Sequence, residues 1–365
     1  MTESATNLTP RPRARVQAMK EYHPPLGSRD GLRLDFNENT VACSPKVRQV
    51  LGSISAGSLT RYPEREPVEA FVASYFGLAP AKVALTNGVD EAIHVVFETF
   101  LEAGDELLLP VPTYAMYEVY ASATDARVVS ILAADDLKFP FERLLSAITP
   151  RTKIIAIANP NSPSGSVATR AQLIEIAARA PHAVLLVDEA YIHFHAETVI
   201  DLIGTVPNLI VARTFSKAYG LAGLRIGFLA GPVELMHWVK RVLSPYSVNS
   251  LALACLQPAL EDAAYIDWYV GEVLAARAEF EAALDQAGVR RWPSEANFVL
   301  TEIGAQHKEF TRHLSAAGVL VRDRSSDPGC DGRVRITIGT REQMRVAAVA
   351  LNEVLAALHI KGGAL

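Results

Sequence analysis

Residues 213–228 read RTFSKAYGLAGLRIGF and follow the apolar run Leu209-Ile210-Val211. That run predicts a buried strand delivering the segment to one end of a sheet. There the chain offers Ser216 and Lys217 side by side, then Gly220, Gly223, Arg225 and Gly227. A solvated loop accounts for most single lysines, because lysines are rarely buried. A lysine that forms a Schiff base, beside a hydroxyl and an arginine that hold a phosphate, accounts for the whole cluster. The rest of the chain decides between the two.

The same grammar recurs outward from this stretch. AVLLVDEAY (183–191) and KIIAIANPNSPSG (153–165) are continuous apolar strands ending in polar turns, and RIGFLAG (225–231) is another strand. GDELLLPVPTY (104–114) holds a short strand expected to stop at Pro110. Helical spacing falls between them, over 90–101, with Ile93, Val96, Phe97 and Phe100 on one face, and over 171–180. Near-continuous apolar strands separated by helices predict a parallel sheet covered on both faces. After Pro245 the character changes. A helix-rich stretch, 250–288, leads to the shorter strands NFVLTEI, VLVRDR and RVRITIGT, with helices over 308–317 and 341–358. This predicts a smaller α+β domain, which the early strand LRLDFNEN (32–39) joins, or else it lines the cleft.

Composition narrows the classes. Half of the 365 residues are hydrophobic and the net charge is −5, an ordinary globular balance with a large core. No basic excess points to nucleic acid. No stretch approaches the roughly 18 apolar residues of a membrane span. The polar N-terminus lacks the apolar centre of a secretory signal. Cys43, Cys255 and Cys330 are far apart, which gives neither a disulfide framework nor metal spacing. The expectation is a cytoplasmic protein with free thiols and no metal.

In open α/β sheets ligands sit beyond the carboxyl ends of the strands. Those ends carry Tyr114, Asn161, Asp188, Tyr191, Ser216 and Lys217. Asp188 at the mouth of a buried strand needs a cationic or hydrogen-bonded partner; a protonated pyridine nitrogen qualifies, as does a helix cap. Tyr191, three residues on, is placed to donate to a ring oxygen, or to pack in the core. Gly88-Val89-Asp90 lead into a helix whose first N–H groups favour an anion, with Asp90 read as the N-cap. Ser216 and Arg225 add a hydroxyl and a forked cation for the same phosphate.

Taken together, LDFNEN, RYPE, NGVDEAI, PTYAMY, NPNSPSG, DEAYIHF, SKAYGLAGLRIGF, Pro245-Tyr246, EANFVL and RITIGTRE resemble, in order, the fold-type I aminotransferases that use pyridoxal phosphate, in the histidinol-phosphate aminotransferase group. The resemblance implies an α/β fold, with a mostly parallel seven-stranded sheet between helices and a smaller α+β domain. It divides the chain into an arm (1–31), a large cofactor-binding domain (45–247) and a small domain (32–44 and 248–365). It implies that Lys217 carries the cofactor, that Asp188 pairs with the ring nitrogen and Tyr191 with the ring oxygen, and that Tyr114 stacks on the ring. Gly88, Val89, Asp90, Ser216 and Arg225 would hold the phosphate, with Tyr62 of RYPE supplied by the neighbouring subunit of a homodimer. Arg335 would bind the substrate's anionic group, and Tyr22 and Asn39 would line the substrate pocket.

Of Arg322 and Arg324, which share a strand face, the resemblance favours Arg322 in the pocket and leaves Arg324 solvated. One position departs from the family's pattern. Ser162 stands where the family has asparagine, and the longer Asn161 amide is the expected contact to the ring oxygen. The implied reaction moves an amino group from L-histidinol phosphate to 2-oxoglutarate. An aromatic amino acid aminotransferase is the alternative, followed by a lyase or decarboxylase or a non-catalytic cofactor-binding protein.

Overall fold

A computed structural model describes residues 10–19, 21, 30–195 and 197–360 of the chain. Its strands in chain order are β1 (Leu32–Arg33), β2 (Val83–Thr86), β3 (Glu106–Val111), β4 (Arg127–Leu132), β5 (Thr152–Ala158), β6 (Val184–Asp188), β7 (Leu209–Thr214), β8 (Gly227–Ala230), β9 (Phe298–Glu302), β10 (Val319–Leu320), β11 (Arg322–Asp323) and β12 (Arg333–Thr337). A seven-stranded sheet runs β2-β8-β7-β6-β5-β3-β4. It is the expected mostly parallel sheet, with β8 antiparallel to both its neighbours. The strands read as unbroken apolar runs because alternate residues enter different cores. Leu185, Val187 and Val211 pack on one face, and Leu186, Ile210 and Ala212 on the other.

Pro110 does not stop β3, which continues through it to Val111. Pairing with β5 ends at Leu108, while pairing with β4 runs on to Val111. The missing proline N–H therefore leaves no bond to β5 unmade. Beyond the large sheet, β11-β12-β9 form an antiparallel three-stranded sheet, and β1 pairs in parallel with β10. Helices Ala263–Gln286 and Arg341–Ala357 pack against each other beside these strands.

A buried ion pair braces the centre of the large sheet. Arg213 on β7 donates from Nε to Glu189 Oε2 at 2.8 Å, and Thr198 and the Val199 N–H also donate to that carboxylate. Both charges are nearly enclosed, so this network of bonds is what makes their burial tolerable. It fixes the residue after Asp188 and the strand that leads to Lys217.

Candidate active site

Asp188 ends β6 in a buried position. Tyr117 Oη donates to its Oδ2 at 2.7 Å, and the Ala190 N–H donates to its Oδ1 at 2.9 Å. Burial nevertheless pushes the carboxyl up to about 6, with those two bonds opposing the rise. Tyr117 is fully enclosed on helix Met116–Ala123. Burial and the adjacent carboxylate hold its phenol well above the ordinary range, so it remains a donor.

Lys217 follows β7, and its Nζ donates to the Phe36 carbonyl at 3.0 Å. The same Nζ lies 5.7 Å from the Tyr191 ring centroid. Tyr191 accepts a 2.9 Å hydrogen bond from Asn37 Nδ2. Burial raises the Tyr191 phenol, but the charges of Lys217 and Arg335 and the Asn37 bond outweigh it, and the net direction is downward. Arg335, on β12, is buried and donates to Ser162 Oγ at 2.9 Å and to the Asp35 carbonyl at 2.7 Å. Burial and the Arg324 charge lower its guanidinium to about 10, which keeps it cationic at neutral pH. The site thus joins side chains from both sheets: a lysine and an arginine flank one phenol, with a carboxylate nearby.

The start of helix Gly88–Phe100 supplies the anion cradle. Gly88 has φ +74°, and a Cβ there would lie 2.7 Å from Arg225 Nη2. Glycine therefore keeps the helix start open beneath the guanidinium. First-turn N–H groups, including those of Val89 and Asp90, have no intrahelical acceptors. Asp90 is not the N-cap; Asn87 occupies that position, and the Asn87 N–H donates to Glu91. The Asp90 carboxylate accepts instead from Tyr114 Oη and from Arg225 Nη2, both at 2.8 Å. That arrangement positions the Tyr114 ring and the Arg225 fork. Ser216 lines a cavity of about 330 Å³ with Gly220, Gly223, Asn39, Arg33 and Glu38. An open helix start, a forked cation and a buried carboxylate fit the phosphate and ring nitrogen of the cofactor implied by the resemblance.

Other expected residues fall differently. Asn161 Nδ2 donates to the Pro112 carbonyl and to Ser164 Oγ, while its Oδ1 accepts from Thr113. Both amide N–H groups are thereby engaged in the turn, which leaves Asn161 no donor for a ring oxygen. Asn39 bridges the Ala218 carbonyl and the Val41 N–H. Arg322 faces Arg335 in the β11–β12 register and lies 5.3 Å from the Phe36 ring centroid. Arg324 is not solvated, because its side chain is largely covered and ion-paired with Asp327. Tyr62 is exposed and leans on Tyr246 with ring centroids 4.5 Å apart. Tyr22 lies outside the described residues. Reading the sequence overlooked Tyr117 and Asn37, although both stand inside motifs it quoted, PTYAMY and LDFNEN. Nothing in residue type or spacing marks either one.

Comparison with known proteins follows the same lines. A family model described as aminotransferase class I and II matches residues 29–351. The chain is 33% identical over 362 residues to histidinol-phosphate aminotransferase 2 of Methylococcus capsulatus, covering 93% of this chain and 97% of that one. It is 33% identical over 355 residues to histidinol-phosphate aminotransferase 1 of a Nostoc species, covering 94% and 98%. Among solved structures, histidinol-phosphate aminotransferase from Sinorhizobium meliloti in complex with pyridoxal-5'-phosphate is similar in fold, with TM-score 0.86 at 24% identity, covering 96% and 99%.

Proposed function

The chain belongs to the class I and II aminotransferases, and we propose that it transfers the amino group of L-histidinol phosphate to 2-oxoglutarate, using pyridoxal phosphate attached at Lys217. The observation that carries this reading is the joint placement of Lys217 and Arg335 against Tyr191, in a chain 33% identical to histidinol-phosphate aminotransferases of two organisms. A reactive amine and a buried anion receptor then share one site.

When bound, the cofactor supplies an electron sink that acidifies the carbon bearing the substrate's amine. The chain's own groups do the rest. Lys217 Nζ takes the proton from that carbon and returns one later, as base and then acid. Asp188 offers a buried negative charge for a protonated ring nitrogen, and Tyr117 keeps that carboxylate ionisable by donating to it. Tyr191 presents its hydroxyl to the ring oxygen. Val89 and Asp90, through their N–H groups, bind the cofactor phosphate with Gly88, Ser216 and Arg225. Arg335 and Arg322 receive the anionic end of the substrate, and Tyr114 covers the ring. A dianionic phosphate and a carboxylate can both be held by a forked guanidinium, which lets one pocket take the two substrates in turn.

The exposed Tyr62–Tyr246 pair supports a homodimer in which Tyr62 completes the neighbouring subunit's phosphate site. We place the large domain at 45–247 and the small domain at 32–44 and 248–365. Borohydride reduction of the cofactor-loaded protein followed by peptide mapping tests the site. The pyridoxyl label is expected on Lys217 and absent in Lys217→Ala, and a label on any other lysine contradicts the assignment.

A further inference from the structure

Asn37 is 1% exposed and holds a left-handed backbone with φ 53°, a conformation asparagine tolerates better than most residues. Four hydrogen bonds fix it. Its N–H donates to Thr337 Oγ1 at 3.0 Å, and Thr337 Oγ1 donates to its Oδ1 at 3.1 Å. Asn297 Nδ2 donates to its carbonyl at 3.2 Å, and its own Nδ2 donates to Tyr191 Oη at 2.9 Å. Thr337 and Asn297 belong to the three-stranded side of the molecule, and Tyr191 follows β6 of the large sheet.

The direction of the Tyr191 bond follows from proton counting. A threonine hydroxyl has one proton and a backbone N–H only donates. Thr337 Oγ1 therefore accepts from the Asn37 N–H and gives its proton to the Asn37 side chain. Thr337 is fully buried, so turning the amide over would leave that proton facing an NH2 group, an unsatisfied buried donor. The Asn37 NH2 must face Tyr191, whose oxygen must accept. We propose that Asn37 is a positioning residue that holds the Tyr191 hydroxyl as an acceptor on its protein side, so that the single phenolic proton is offered to the ring oxygen of the cofactor. The inference rests on the reading that Lys217 carries pyridoxal phosphate.

The other groups facing the phenol are Lys217, Arg335, Asp188 and Tyr117. The two cations lower its proton affinity and Asp188 raises it, and they act through charge. Asn37 alone among these groups is shown donating a hydrogen bond to the phenol oxygen. Ser162, at the position where an asparagine was expected, is engaged with Arg335 instead.

The test reads the resting holoenzyme without substrate, through the pH midpoint of the visible absorption change of bound pyridoxal phosphate. Asn37→Gly keeps the left-handed backbone and removes the donor. Asn37→Asp keeps the shape but turns the donor into an acceptor that draws the phenolic proton away from the cofactor. Both are expected to raise the midpoint, the aspartate by about one pH unit or more and the glycine by less. In a Tyr191→Phe background, Asn37→Gly is expected to add little, because its effect passes through the phenol. Midpoints unchanged in variants that fold and keep the band overturn the inference, as does a glycine effect that persists undiminished with Tyr191→Phe. A wild-type protein with no such band overturns the cofactor reading and this inference with it. Where the Asn37 variants do not fold, Thr337→Val removes the lock on the amide. A smaller upward shift then supports the inference, and none overturns it.

Discussion

Replacing Asp188 with asparagine should remove a pH-dependent destabilisation of the cofactor-free protein while it weakens cofactor binding. The folded carboxyl titrates at about 6, against an ordinary value of 3.8. A raised folded value means that the stabilising form is the protonated one. Its contribution is complete below the unfolded value and is lost as pH rises through the folded value. Two units and a little more, at about 1.4 kcal/mol per unit, make ionised Asp188 cost the empty fold about 3 kcal/mol at pH 7.5. At pH 5, between the two values, the cost is about half of that.

The amide of Asp188→Asn would have no charge to bury, but it can accept from only one of the two donors that the carboxylate serves. Its oxygen would accept from the Ala190 N–H and its NH2 would face Tyr117 Oη, which leaves the buried Tyr117 proton without its acceptor and offsets about 1–3 kcal/mol of the gain. The assay is thermal melting of cofactor-free wild type and Asp188→Asn at pH 5 and pH 7.5, with and without pyridoxal phosphate. The stability of the variant relative to wild type should rise between pH 5 and pH 7.5, by about 1.4 kcal/mol. Added cofactor should stabilise wild type and do much less for the variant. A difference between the two proteins that does not depend on pH refutes the reasoning about this carboxylate.

Two further outcomes follow from the anion contacts and the exposed tyrosine. Arg322→Ala should lower kcat/KM for histidinol phosphate far more than for phenylalanine; losing one charge-assisted bond is worth about 1.5–3 kcal/mol, or roughly ten- to a hundredfold. Equal losses for both donors, in steady-state kinetics, would remove Arg322 from the phosphate pocket. Tyr62→Phe should weaken cofactor retention without lowering the melting temperature of the cofactor-free protein. Mixed dimers of Tyr62→Phe and Lys217→Ala subunits should recover one complete site, and activity no higher than the separate variants would place Tyr62 outside the partner's site.

Much of the scaffold was legible because burial writes itself into local pattern. Val184–Val187 and Leu209–Ala212 are unbroken apolar runs, and helix Gly88–Phe100 shows its buried face as Ile93, Val96 and Phe97. Lys217 and Asp188 stood out as candidates because strand ends in such sheets are where ligands bind. The network behind them was not legible, since it depends on contacts between distant segments. Tyr117 reaches Asp188 across 71 positions, Asn37 reaches Tyr191 across 154, and Thr337 reaches Asn37 across 300. Asn161 misled for a related reason. Side-chain length suggested reach toward the ring, whereas the turn's own unsatisfied groups, Pro112 O and Thr113 Oγ1, were nearer claimants for its amide. Arg324 likewise looked solvated until Asp327, three residues on, folded back against it.

The central claim is a substrate, and it is tested most directly by mixing the cofactor-loaded protein with single amino donors and following loss of the cofactor's visible band in one half-turnover. Histidinol phosphate, histidine, phenylalanine and tyrosine are compared at matched concentrations, and 2-oxoglutarate is then added to restore the band. The structure's paired arginines, Arg322 and Arg335, predict that histidinol phosphate reacts with the highest second-order rate constant and that 2-oxoglutarate reverses the change. A protein that reacts faster with phenylalanine or tyrosine than with histidinol phosphate would contradict the account.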